Sequence, residues 1–158
     1  MTKKNIFATV ALALSSLMIA ARAEQASSVA SMPIHQEVDY KASPQRVYKA
    51  LLDSKQFSAW TENPAQIRAE ADGVFNCFAG QIRGRNIELI PNQRIVQAWR
   101  VSAWPEGVYS IVRFELKAQG SGTHLILDHT GFAAEDRGHL DPGWPRMYWE
   151  PLRKYFGE

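Results

Sequence analysis

Two hydrophobic periods divide the chain. Ile34 to Tyr40 has the length and composition of a first strand, and Ser43-Pro44 then supplies a helix N-cap followed by proline at the first helical position. Val47, Ala50 and Leu51 form the apolar stripe of a short helix. A second helical segment carries Phe57 and Trp60 before Asn63-Pro64 breaks it. From Gln66 onward the period falls to two, which predicts strands at 66–71, 74–80, 82–90, 94–100, 108–117 and 123–130. Asp72-Gly73, Gly80, Pro91-Asn92, Pro105-Glu106-Gly107 and Gly120-Ser121-Gly122 punctuate this meander. Ser110, Val112, Phe114 and Leu116 share the face assigned to the core, and Leu125, Leu127 and His129 share the dry face of the next strand. On the strand at 82–90, Ile87 and Leu89 are expected inward and Asn86 and Glu88 outward, unless a bulge reverses the register. Helical period returns at the end with Trp144, Tyr148, Leu152 and Tyr155. Pro145 suits a first turn, whereas Pro151 falls inside the pattern. The expectation is one helix starting near Pro145 and bending near Pro151, with two short helices as the alternative.

These elements make an α+β domain: a curved six- to seven-stranded antiparallel sheet around a long C-terminal helix, with two short helices after the first strand. That order is the helix-grip arrangement, in which sheet twist leaves room for a cavity between sheet and helix.

Composition changes the picture at the N-terminus. Lys3 and Lys4, an uncharged run from Ile6 to Ala20 and the segment Ala21-Arg22-Ala23 have the layout of a secretory signal peptide, 1–23, with cleavage expected after Ala23. An uncleaved anchor is the alternative, but the run is shorter than the ~20 residues that cross a bilayer. Residues 24–32, rich in Ala, Ser and Gln, read as a flexible spacer ahead of a domain at 33–158. The expected location is periplasmic or secreted, with no stable membrane span after cleavage. The leader takes Lys3, Lys4 and Arg22 from the 18 basic residues and none of the 16 acidic ones, so the remainder has 15 basic residues and a net charge of −1. Such a surface offers no footprint for nucleic acid. Cys77 is the lone cysteine, which excludes an intramolecular disulfide, and Phe75 and Phe78 beside it favour burial.

The segments Gly84 to Pro91, Arg94 to Arg100, Trp104-Pro-Glu-Gly107, Thr123 to Gly131, Gly143-Trp144 and Tyr148-Trp-Glu-Pro151 together resemble the branch of the START-like (SRPBCC) superfamily that is similar to activators of heat-shock-protein-90 ATPase. The resemblance runs from about Ile34 to Phe156. It implies the helix-grip fold and, as in many relatives, a hydrophobic cavity for apolar molecules. Reaction chemistry varies across the superfamily, and the eponymous relatives stimulate a cytosolic chaperone. Export would separate this chain from ATP and from that chaperone, and the resemblance covers one domain only.

The residues themselves offer sparse chemistry. Among His35, His124, His129 and His139 no two share metal-ligand spacing on one face, so no metal site is expected, and no cofactor is implied. His129 has inward parity and is either a satisfied core histidine or a general base or polar anchor. Glu88 joins it as a catalytic candidate if a bulge turns that carboxylate inward. Ser110 lacks an identifiable base, and Gly120-Ser121-Gly122 lies between strands, where it makes a turn and not a phosphate loop. The aromatic surplus is the strongest lead: Trp60, Phe75, Trp99, Phe114, Tyr148 and Trp149, with His129, are the expected lining of a ligand cavity between sheet and helix. Three functions follow: binding of a small hydrophobic molecule, a cyclase or hydrolase reaction using His129, or partner binding in the envelope as a chaperone accessory.

Overall fold

The computed structural model describes residues 32–158. The expected leader and all of the spacer except Met32 lie outside the described residues. β1 (Ile34–Tyr40) leads into α1 (Pro44–Leu52) and α2 (Ser54–Thr61). Ser43 caps α1, its Oγ accepting from the Arg46 N–H at 3.4 Å, and Pro44 occupies the first turn, where its missing donor is harmless. Asp53 both ends α1 and caps α2, its Oδ1 accepting from Gln56 N–H at 2.9 Å. One residue between helices thus sets the angle at which Phe57 and Trp60 enter the core.

The remaining strands are β2 (Gln66–Ile67), β3 (Val74–Cys77), β4 (Ile82–Ile90), β5 (Arg94–Val101), β6 (Ser110–Gln119) and β7 (Gly122–Thr130). They form one seven-stranded antiparallel sheet in the order β1-β7-β6-β5-β4-β3-β2. The strand expected at 66–71 shrinks to a two-residue contact. The one expected at 74–80 stops at Cys77, because Phe78, Ala79 and Gly80 take φ of 52°, 53° and 93° and turn the chain through a left-handed 3₁₀ turn. Inward positions alternate as expected on β6 and β7, where Val112, Phe114, Leu125, Leu127 and His129 are buried. Gly84 sits opposite Phe75, and a Cβ there would lie 2.3 Å from the phenyl ring and 2.1 Å from Ala98 O, so the aromatic ring covers the strand where a side chain would stand.

β4 departs from simple alternation. A bulge between Asn86 and Glu88 leaves Ile87 exposed and Asn86 fully buried, the reverse of the expectation for that pair. The cause is the Asp72-Gly73 turn: Asp72 N–H donates to Asn86 O, and Asn86 N–H to Gly73 O, both at 2.8 Å. Those bonds hold Asn86 inward, while Leu89 beyond the bulge packs against the core.

The C-terminal helix starts earlier than Pro145. α3 (Arg137–Trp144) passes through a π turn at Pro145–Trp149 into α4 (Glu150–Phe156). Pro145 has no N–H for the Asp141 carbonyl four residues back; that carbonyl accepts instead from Gln36 Nε2 on β1 at 2.8 Å. Glu150 N–H reaches five residues back to Pro145 O, and Pro151 has no N–H to give, so the helix continues by widening. Gln36 also accepts at Oε1 from the Trp149 indole at 2.7 Å, pinning the wide turn to the sheet at two points. No helix among the described residues is long and apolar enough to cross a membrane.

Candidate functional site

The space between the sheet and the C-terminal helix is filled mainly by rings. Phe57, Trp60, Phe78 and Tyr148 meet one another at centroid distances of 4.4 to 6.0 Å, and Trp144 stacks on Trp149 at 5.7 Å and 18°. Under Leu51, Ile95 and Phe114 the remaining void holds about 10 Å³, about one water's worth. Of the residues expected to line a cavity, Trp60, Phe75, Phe114, His129 and Trp149 therefore belong to a packed interior. Trp60 spends its indole N–H on Ala50 O at 2.8 Å, and Tyr148 is so deeply buried that its hydroxyl pKa rises well above the usual tyrosine range. Cys77 is buried among them, which pushes its thiol up to about 12 and leaves it inert as a nucleophile at neutral pH.

His129 is completely buried at the centre of a polar chain. The Trp144 indole, a donor only, gives its N–H to His129 Nδ1 at 3.3 Å. Nε2 therefore carries the ring proton and donates to Ser110 Oγ at 2.8 Å, and that hydroxyl donates to Trp99 O at 3.0 Å. Every donor and the imidazole lone pair are used. Burial lowers the His129 pKa to about 3, so the ring is neutral and holds no free lone pair to act as a base.

Glu88 lies on the outer face, paired with Arg94 at 3.1 Å, and not beside His129. The inward polar groups on these strands are instead Asn86 and Gln97. Gln97 Nε2 donates to Asn86 Oδ1 at 3.0 Å, and Asn86 Nδ2 donates to Arg68 O at 2.8 Å. Gln97 was legible from its parity with Ile95 and Trp99; Asn86 needed the bulge. Among the described residues no cluster of histidine, cysteine or carboxylate side chains has metal-holding geometry.

An apolar concavity lies between the sheet and the first half of the C-terminal helix, a half-open cleft of about 320 Å³. Its sheet wall is Phe78, Gln81, Ile82, Trp99 and Val101. Opposite stand Leu140, Gly143, Trp144, Met147 and Tyr148, with His139 and Arg146 completing the lining from the exposed side of the helix. Helical spacing explains this wall, since 139, 143 and 146 fall on one face. Trp99 and Tyr148 are the predicted ligand residues that reach it. A Cβ built on Gly143 meets nothing within 4 Å, so the absence of a side chain there keeps the cleft open.

Residues 41–157 match the family model described as Activator of Hsp90 ATPase homolog 1-like protein. The Activator of 90 kDa heat shock protein ATPase homolog 1 of Homo sapiens is 28% identical over 118 residues, covering 75% of this chain and 35% of the relative. The chain thus spans about a third of the length of the curated relatives it matches. A solved HSP90 activator from Plasmodium falciparum superposes with a TM-score of 0.74 at 21% identity, covering 80% of this chain and 97% of that one. The solution structure of an Aha1 dimer from Colwellia psychrerythraea gives 0.68 at 20%, covering 79% and 96%. These structural likenesses establish the helix-grip fold.

Proposed function

We propose, of a chain that belongs to the Activator of Hsp90 ATPase homolog 1-like family and has its START-like fold, that it binds a small hydrophobic ligand in the cleft between the sheet and the C-terminal helix. The observation that carries this reading is the cleft itself: about 320 Å³, at the low end of the about 300–1,000 Å³ of small-molecule sites, and walled by Trp99, Trp144, Leu140 and Met147. The packing of Trp60, Phe114 and Trp149 into the interior supports a ligand seated at this opening instead of among those rings. Native mass spectrometry of protein purified from its own host should show a co-purifying apolar compound, and Gly143→Leu, which fills the cleft, should lose it. Wild-type protein with no bound mass and no saturable uptake of an apolar fluorescent probe would overturn the reading.

The hydrolase alternative loses its base, because His129 has neither a free lone pair nor a pKa near neutrality. Partner binding keeps one supporting feature, the outer face of the sheet, where Val74, Ile87, Tyr109 and Ile111 are 40% to 48% exposed. Charged substitutions at Val74 and Ile111 that abolish a co-purifying protein while sparing ligand uptake would favour it. Export rests on the Lys3-Lys4 start, the apolar run and Ala21-Arg22-Ala23. N-terminal sequencing of the protein from a cell-envelope fraction should begin at Glu24; an intact Met1 in soluble cytosol would contradict it.

A further inference from the structure

Charge along the cleft is one-sided. Its polar lining consists of Gln81, His139 and Arg146 besides the buried Tyr148 and indole groups, and no carboxylate contributes to it. Arg146 is distinctive in a second way. Arg83, Arg85 and Arg100 donate to backbone carbonyls, Arg94, Arg113 and Arg137 reach carboxylates, and Arg46, Arg68 and Arg153 have ring or carboxylate partners. Among the described residues Arg146 is the arginine with no hydrogen bond, ion pair or ring contact. Glu150, one turn further along the helix, does not come within ion-pair distance of it. Arg146 belongs to the π turn that the prolines impose and the Gln36 bonds hold against the sheet, so its backbone is fixed while its guanidinium is uncommitted. A guanidinium presents paired N–H donors suited to a carboxylate or phosphate.

We propose that the cleft selects amphipathic anions, molecules with an apolar body and one carboxylate-type head group. The body lies against Trp99, Leu140 and Met147, and the head group takes paired hydrogen bonds from Arg146 at the exposed end. His139, on the same helical face, supplies a further donor to the head group. This specificity rests on the ligand-binding reading above, and the two are separable by experiment.

Octanoate and 1-octanol share one alkyl chain and differ in the head group, so titrating each into the full chain by calorimetry isolates the charge. Wild type should bind octanoate about tenfold more tightly than 1-octanol, the scale of a hydrogen bond to a charged group. Arg146→Gln should bring the two within about twofold by weakening octanoate alone, and Arg146→Lys should restore part of the preference as a point charge without the paired donors. Arg146 is exposed, and circular dichroism verifies that its variants fold. Equal binding of both ligands by wild type, or a preference that survives Arg146→Gln, overturns anion selection and leaves the apolar cleft standing. Failure of wild type to bind either ligand overturns both readings.

Discussion

His129 is neutral in the fold because burial outweighs every other influence on it, and that has a consequence for stability in acid. Its pKa of about 3 lies below the unfolded value of about 6.5, so its contribution is fully present above that value and drains away as pH falls toward 3. Between pH 7 and pH 5 the unfolded ring gains a proton that the folded ring refuses, a loss of about 2 kcal/mol. His35 acts in the opposite sense. Its hydrogen bond to Asp128, and then that to Glu37, raise its pKa, so its contribution is present in acid and fades as pH rises through the raised value. Comparison with His129→Asn removes the shared terms. Urea unfolding of wild type and variant at both pH values should show wild type losing about 2 kcal/mol more on acidification. Equal losses would mean that His129 is protonated in the native state.

Packing and patterning made most elements legible, whereas non-local hydrogen bonds governed the rest. Strands β5 to β7 follow their alternation closely because each buries one face, and a one-residue slip would expose it. The inward turn of Asn86 was not readable from β4, since it is imposed by main-chain bonds from Asp72 and Gly73. The start of the terminal helix was hidden for a similar reason. Pro145 reads as a first-turn proline until Gln36, more than a hundred residues earlier, is seen to satisfy the carbonyl that Pro145 orphans inside a longer helix. The cleft was harder still, because its walls come from the Phe78–Val101 region and from the helix, and neither alone has a concave pattern. The Gln36 link predicts a thermodynamic coupling. Gln36→Ala should cost about 1–3 kcal/mol by stranding Asp141 O and the Trp149 indole. Pro145→Ala restores an N–H to Asp141 O, so in that background the cost should fall by about 1 kcal/mol. Additive losses in chemical denaturation would show that the Gln36 amide does not substitute for the proline's missing donor.

For the whole domain, the cleft is where stability and binding oppose each other. A helix spanning Arg137–Phe156 that contains Gly138, Pro142, Gly143, Pro145 and Pro151 is a poor helix by propensity, held by the rings it buries and by its ties to β1. Gly143 adds to that cost while exposing apolar walls of Trp99, Trp144 and Leu140 that a side chain would cover. Leucine at this site replaces the glycine of a helix interior, worth about 1 kcal/mol, and places apolar surface against apolar surface. Because a Cβ there meets nothing within 4 Å beyond its chain neighbours and its own helix backbone, Gly143→Leu should raise stability by about 1–2 kcal/mol and the melting temperature by several degrees. Ligand uptake should vanish in the same variant. Thermal melts with and without octanoate separate the two effects: wild type should gain stability from the ligand and Gly143→Leu should not. A variant that melts lower than wild type would mean that the helix and sheet close over this space in solution, and then the opening serves no ligand.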